Sequence, residues 1–75
     1  MTRLPALTPR QVVAALHRAG FSLVRQAGSH AQFRHATRRE LRVTVPMHAK
    51  TLKRGTLQSI LRQADITAEA FRALL

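Results

Sequence analysis

Histidine is the residue of this 75-residue sequence best suited to acid–base chemistry, because an imidazole has an ordinary pKa of about 6.5. Carboxylates are scarce and scattered at Glu40, Asp65 and Glu69, so no carboxylate pair and no acid-oriented nucleophile is indicated. With no cysteine, no HExxH motif and no histidines four residues apart, neither a metal site nor another cofactor is expected. The histidines are His17, His30, His35 and His48.

A large excess of positive charge is the second chemical feature. Thirteen Lys and Arg oppose three Asp and Glu, for a formal net charge of +10, and Glu40 is the single acid between residues 25 and 54. Such a one-sign stretch is typical of proteins that bind polyanions. Nucleic acid is favoured over an acidic protein, and an anionic membrane surface ranks last. The cations of this stretch are Arg25, Arg34, Arg38, Arg39, Arg42, Lys50, Lys53 and Arg54.

RNA is the substrate that matches a site built from cations and one histidine. Its 2′-hydroxyl attacks the adjacent phosphate once a base removes the proton and cations stabilise the charge on the phosphoryl oxygens. DNA lacks that hydroxyl and would need a metal or another nucleophile. The residue types therefore permit RNA cleavage without a metal.

The surroundings of each histidine suggest different roles. His30 follows a Gly-Ser turn at 28–29, so it either occupies a reactive position or is merely the polar flank of a hairpin. His17 is expected on the solvated face of a helix. His35 shares a strand face with Phe33, which predicts a half-buried and hydrogen-bonded histidine.

A basic loop precedes the second predicted helix. His48 in this loop suits a phosphate contact or a loop anchor. Lys50, Lys53 and Arg54 come just before a helix N-terminus, where free backbone N–H groups and the helix dipole favour anions. The alternative is a solvated charged loop without a ligand.

The first half of the chain predicts a helix and three strands. Thr8, Pro9 and Gln11 form a capping-box pattern at the helix start, and Gly20 ends the helix in the left-handed conformation. Three alternating segments then predict an antiparallel meander, which Pro46 ends. The segments are 21–26, 30–35 and 41–45. In the first strand, Phe21, Leu23 and Arg25 are expected to share one face of the sheet. In the second strand, His30, Gln32 and Arg34 are expected to share the face that points away from the helices.

The second half predicts two helices, and the whole chain predicts one domain over residues 1–75. Thr56 is expected to cap the second helix, and Thr67 a last helix over 68–75 that sends Phe71, Leu74 and Leu75 to the core. The fold class is α+β, in the order α-β-β-β-α. A three-stranded antiparallel sheet packs its helices on one face.

Three blocks of the sequence resemble the signature blocks of the HicA toxins. They are Gly28-Ser29-His30-Ala31-Gln32-Phe33, Val45-Pro46-Met47-His48 and Gly55-Thr56-Leu57-Gln58-Ser59-Ile60-Leu61. The resemblance covers residues 8–64 with matching order and spacing. The sequence departs from the family pattern in two places. Asp65 stands where a glycine is common, and the segment 36–40 replaces a tighter Asp-Gly turn.

The resemblance implies a fold similar to double-stranded RNA-binding domains, cleavage of mRNA, and neutralisation by a HicB-like antitoxin. The family's catalytic histidine belongs to the Gly-Ser-His block and carries over to His30. The chain is thus expected to be a toxin, a metal-independent and sequence-tolerant endoribonuclease. The residues expected to contact RNA are Arg25, Ser29, Arg34, His48, Lys50, Lys53 and Arg54.

Two other functions compete with this reading. A non-catalytic double-stranded RNA-binding module would use the same basic loop and helix end. A DNA-binding regulator is disfavoured because no helix-turn-helix is evident. We expect a cytoplasmic protein, monomeric when free, because the start of the chain lacks a signal peptide and no segment is apolar enough to span a membrane.

Overall fold

The structure, a computed structural model, describes residues 2–75. Its helices and strands are α1 Pro9–Arg18, β1 Phe21–Ala27, β2 His30–His35, β3 Arg42–Pro46, α2 Arg54–Ala64 and α3 Ala68–Ala73. The strands form an antiparallel sheet in the order β1-β2-β3. This arrangement confirms the α+β fold class and the α-β-β-β-α order. No helix within residues 2–75 is both long and apolar enough to cross a membrane.

Both ends of α1 follow from the predicted signals. The Thr8 hydroxyl accepts a hydrogen bond from the Gln11 backbone N–H at 3.2 Å, and the Gln11 side chain accepts one from the Thr8 N–H at 2.9 Å. These two bonds satisfy backbone donors that the first helical turn leaves free. Gly20 has a φ of +96°, a conformation that side chains disfavour, and it turns the chain from α1 into β1.

One face of the sheet, called here the inner face, packs against the helices. Alternation buries Ala31 and Phe33 of β2 and Val43 and Val45 of β3 on this face. The helices contribute the other half of a single apolar core. The buried helical residues are Pro9, Val12, Ala15, Leu16, Leu57, Ile60, Leu61, Ala64 and Phe71.

The start of α2 differs from the prediction. Thr56 is not the N-cap, because the helix begins at Arg54 and Lys53 holds the N-cap position without a side-chain hydrogen bond. Buried Leu52 fixes the approach to the helix, since its N–H donates to the Leu7 carbonyl at 2.8 Å. The helix therefore begins three residues earlier than the capping preference of threonine predicts.

The end of α3 also differs. Thr67 caps the helix as predicted, through a hydrogen bond that its hydroxyl accepts from Ala70 N–H at 3.1 Å. Phe71 is fully buried, but the helix ends at Ala73 and Leu75 remains 46% exposed. The prediction that Leu75 joins the core is wrong, because the residue lies beyond the last helical turn.

Candidate nucleic-acid interface

His30 is the first residue of β2 and lies on the outer face of the sheet, away from the helices. A two-residue turn precedes it, in which Gly28 has a φ of +58°, so that Ala27 and His30 pair directly. Ala31, the next residue, is buried at 2% exposure, whereas His30 is exposed. Neither ring nitrogen of His30 has a hydrogen-bond partner among the residues that the structure describes. Both nitrogens are therefore available for a ligand.

The sheet register brings the histidine-bearing segments together. His30 pairs with Pro46 of β3, and the Met47 N–H donates a hydrogen bond of 2.6 Å to the Ser29 carbonyl. His48 follows directly and is exposed. The Gly-Ser-His turn and the loop after β3 thus meet at one end of the sheet.

A β-bulge in β1 decides which face Arg25 occupies. The register shifts between Leu23 and Arg25, because Leu23 pairs with Phe33 but Arg25 pairs with Gln32. Opposed residues of an antiparallel pair share a face, so Arg25 lies beside Gln32 on the outer face. His30 is two residues before Gln32 in β2 and lies on the same face. The prediction that Phe21, Leu23 and Arg25 share one face is therefore wrong for Arg25.

Four arginines line a shallow concavity of about 400 Å³ on the outer face, called here the arginine concavity. They are Arg25, Arg34, Arg39 and Arg42. No acidic residue lines it, and among residues 2–75 both salt bridges belong to Arg38, which contacts Glu40 at 3.7 Å and Asp65 at 2.8 Å. Hydrogen bonding to Asp65 raises the pKa of the Arg38 guanidinium. The lining of the arginine concavity therefore carries four cations and no acid.

Two of these arginines, Arg39 and Arg42, were not among the residues predicted to contact RNA. Arg42 joins the site because it pairs with Arg34 across β2 and β3, and Arg39 lies in the connection between these strands. The alternation of residues 41–45 already places Arg42 on the polar face of its strand. The cross-strand register, which the sequence does not supply, is what brings Arg42 beside Arg34.

The remaining predicted cations form a separate group. Arg54 lines a different concavity, of about 300 Å³, between residues 2–6 and the helices α2 and α3. Lys50 and Lys53 are exposed in the segment before α2. None of these three residues lines the arginine concavity. The predicted RNA contacts therefore divide into arginines on the outer face, residues at the end of the sheet that holds His30, and cations around the start of α2.

His35 has a structural role, as predicted. Its Nδ1 accepts hydrogen bonds from the backbone N–H groups of Thr37 at 3.2 Å and Arg38 at 3.0 Å. Its Nε2 therefore carries the proton and donates to the Ala19 carbonyl at 3.0 Å. The ring also packs edge-on against Phe21, with centroids 5.1 Å apart. His35 holds the connection after β2 to the end of α1.

His17 also lies away from the outer face. It is exposed on α1, and its ring packs edge-on against Phe33 with centroids 6.0 Å apart. The exposure of His17 confirms the prediction of a surface position on the helix. Within residues 2–75, no three His, Asp or Glu side chains lie close enough together to hold a metal ion.

The fold and the site define a class of protein: a small basic α+β domain whose open sheet face carries an exposed histidine and a cluster of arginines. A family model described as the HicA toxin of bacterial toxin-antitoxin systems matches residues 9–66. The match spans well over half of the chain, and the protein belongs to this family. It is therefore the toxin of a toxin-antitoxin pair, whose partner is an antitoxin. A search of curated proteins finds no match.

Proposed function

We propose that this toxin is an endoribonuclease that cleaves mRNA without a metal, with His30 as the general acid–base residue. The single observation that carries the proposal is the position of His30, exposed on the same sheet face as the arginine concavity. A general base must reach its proton, and the open ring nitrogens of His30 meet that requirement. The toxin family supports a harmful activity, and the surface supports RNA as its target.

The reaction uses the nucleophile that RNA itself carries. His30 removes the proton of a 2′-hydroxyl, the 2′-oxygen bonds to the adjacent phosphorus, and the bond from phosphorus to the 5′-oxygen breaks. The products are a 2′,3′-cyclic phosphate and a 5′-hydroxyl, which takes up a proton. Arginines beside the phosphate stabilise the negative charge that develops on its oxygens.

Several of the proposed RNA contacts share the outer face of the sheet with His30. Arg25 and Arg34 line the arginine concavity with Arg39 and Arg42, and a guanidinium binds phosphate oxygens through two parallel N–H donors. Ser29 and His48 lie at the end of the sheet that holds His30, where the turn and the loop meet. Lys50, Lys53 and Arg54 are proposed to contact phosphates further along the bound RNA.

Recognition of the backbone accounts for a sequence-tolerant activity. The aromatic residues Phe21, Phe33 and Phe71 are at most 2% exposed, so they are not available to stack on bases. Arginine contacts to phosphates position an RNA but do not read its sequence. The proposed substrate is therefore any accessible stretch of mRNA in the cytoplasm.

The experiment that tests the proposal is cleavage of a 5′-labelled RNA by the purified toxin in EDTA. Cleavage should persist and leave 2′,3′-cyclic phosphate ends. A deoxy substitution at the cleaved nucleotide should block the reaction, because it removes the nucleophile. Activity that EDTA abolishes and a divalent ion restores would contradict the proposed mechanism. RNA binding without any cleavage would favour a non-catalytic double-stranded RNA-binding module.

A further inference from the structure

The two edges of the sheet differ in how their backbone groups are satisfied. On β3, the Thr44 N–H points away from β2 and donates to the Gln63 side chain of α2 at 2.9 Å. Pro46, two residues later, has no N–H to offer. Helix α2 and a proline therefore close this edge against another strand.

The edge of β1 is open. The Ala36 N–H donates to the Gly20 carbonyl at 3.0 Å, so the Phe21–His35 pair is of the non-hydrogen-bonded kind. By the alternation of an antiparallel ladder, the N–H and C=O groups of Phe21 and Leu23 face away from β2, as do those of Gln26 after the bulge. None of these three N–H groups has a partner within residues 2–75. We call the outward-facing backbone of Phe21–Ala27 the open edge.

The side chains of the open edge are unusual for a free surface. Leu23 is 49% exposed and Val24 is 56% exposed, and they are two of the three large apolar side chains exposed within residues 2–75. Strand β1 has seven residues, without the proline or lysine that often protects an exposed edge. Its bulge and Arg25 restrict pairing to a strand that fits the local register and carries opposite charge. The open edge thus has the backbone and the apolar surface of a docking site.

We propose that the antitoxin binds this toxin by adding a strand to the open edge. The proposal deepens the toxin-antitoxin part of the proposed function and does not depend on RNA cleavage. A second copy of the toxin is a poor occupant, since each chain carries a formal net charge of +10 and the open edge itself carries Arg25. An acidic strand gains the same backbone hydrogen bonds together with opposite charge.

The two faces of the sheet specify the chemistry of the added strand. On the inner face it meets the exposed part of Leu23, which favours an apolar residue. On the outer face it meets Arg25, with Arg34 one strand further in, which favours Asp or Glu. The occupant is therefore an extended antitoxin segment that alternates apolar and acidic residues.

Hydrogen exchange on the toxin, free and in complex with its co-expressed full-length antitoxin, tests the proposal. The amides of Phe21, Leu23 and Gln26 should exchange slowly only in the complex. Leu23→Pro removes one outward N–H and should weaken the complex about tenfold. Leu23→Ala shortens the side chain but keeps the N–H, and it should weaken the complex less. Both variants should keep the circular dichroism spectrum of the toxin.

Each other outcome overturns the proposal. A complex that leaves the three amides exchanging as in the free toxin places the antitoxin elsewhere. Equal losses for Leu23→Pro and Leu23→Ala indicate a side-chain contact without strand addition. Protection of the same amides in the free toxin at high concentration assigns the edge to a second copy. RNA cleavage measured on the same samples reports separately on the proposed enzyme activity.

Discussion

Arg34 of β2 and Arg42 of β3 lie directly opposite each other in the register of the sheet. Like charges in this position destabilise an antiparallel pair, by up to about 1 kcal/mol. Both side chains line the arginine concavity, and the acids Glu40 and Asp65 contact Arg38 instead. A bound phosphate would offset the repulsion between the two guanidinium groups. A phosphate bound between the two side chains would therefore stabilise the folded domain.

Replacing Arg42 should affect stability and RNA binding in opposite directions. In Arg42→Gln the repulsion with Arg34 is relieved, so the free energy of unfolding should rise by about 0.2–1 kcal/mol. The affinity for RNA should fall because one phosphate contact is lost. Urea unfolding and filter binding measure the two effects. Arg72→Gln on α3 is the control, since it removes the same charge outside the arginine concavity. Equal losses of RNA affinity in both variants would contradict a role for Arg42.

Local signals in the sequence predicted most of the fold. The capping box at Thr8 and the alternation in β2 depend on residues close together in the chain, and both were confirmed. The bulge before Arg25 and the pairing of Arg34 with Arg42 depend on how the strands align. Strand register is set by the packing of the whole inner face, so a reading of single segments could not supply it.

Asp65 shows how a departure from a family pattern is accommodated. It has a φ of +56°, the left-handed conformation in which glycine is favoured, and it is the one non-glycine residue with positive φ in the part of the chain described. Aspartate tolerates this conformation better than most residues. Its carboxylate also accepts a hydrogen bond of 2.8 Å from Arg38 in the connection between β2 and β3. The sequence identified the unusual residue, and the structure supplies its partner.

RNA binding should depend steeply on salt. If about six cations contact phosphates, the logarithm of the binding constant should fall against the logarithm of salt concentration with a slope of about −4, taking about −0.7 per phosphate. Fluorescence anisotropy with a single-stranded RNA between low and moderate salt measures the slope. Arg42→Gln should make it less negative, whereas Arg72→Gln should leave it unchanged. A slope near zero would exclude phosphate contacts as the main source of affinity.

Two glycines should respond to alanine in opposite ways. At Gly20, whose φ is +96°, an added Cβ would lie 2.8 Å from Nε2 of His35. The His35 ring cannot easily move, because it is hydrogen-bonded to the Ala19 carbonyl and the Arg38 N–H. Gly20→Ala should lower the free energy of unfolding by about 1–3 kcal/mol. Gly55→Ala in α2 meets open space and should raise it by up to about 1 kcal/mol. Thermal unfolding compares the two, and a stable Gly20→Ala would contradict the described contact.

The decisive variant for the proposed activity is His30→Ala. The loss of a general acid or base typically lowers the rate by about 10²–10⁴-fold, so RNA cleavage and toxicity in cells should disappear. The fold should persist, because His30 is exposed on the outer face and surface changes usually cost within about 0.5 kcal/mol. RNA binding should persist as well, because the arginines make the phosphate contacts. Single-turnover cleavage and filter binding measure the two properties separately.

His48→Ala is the matched control, because His48 is also exposed and lies at the same end of the sheet. Its imidazole is proposed only to contact RNA, so this variant should bind RNA somewhat more weakly and still cleave it at saturating toxin. If His48→Ala abolishes cleavage with binding intact while His30→Ala remains active, the acid–base role belongs to His48. If both variants cleave like the parent toxin, neither imidazole takes part in proton transfer. The acid–base role would then belong to a group other than His30 and His48.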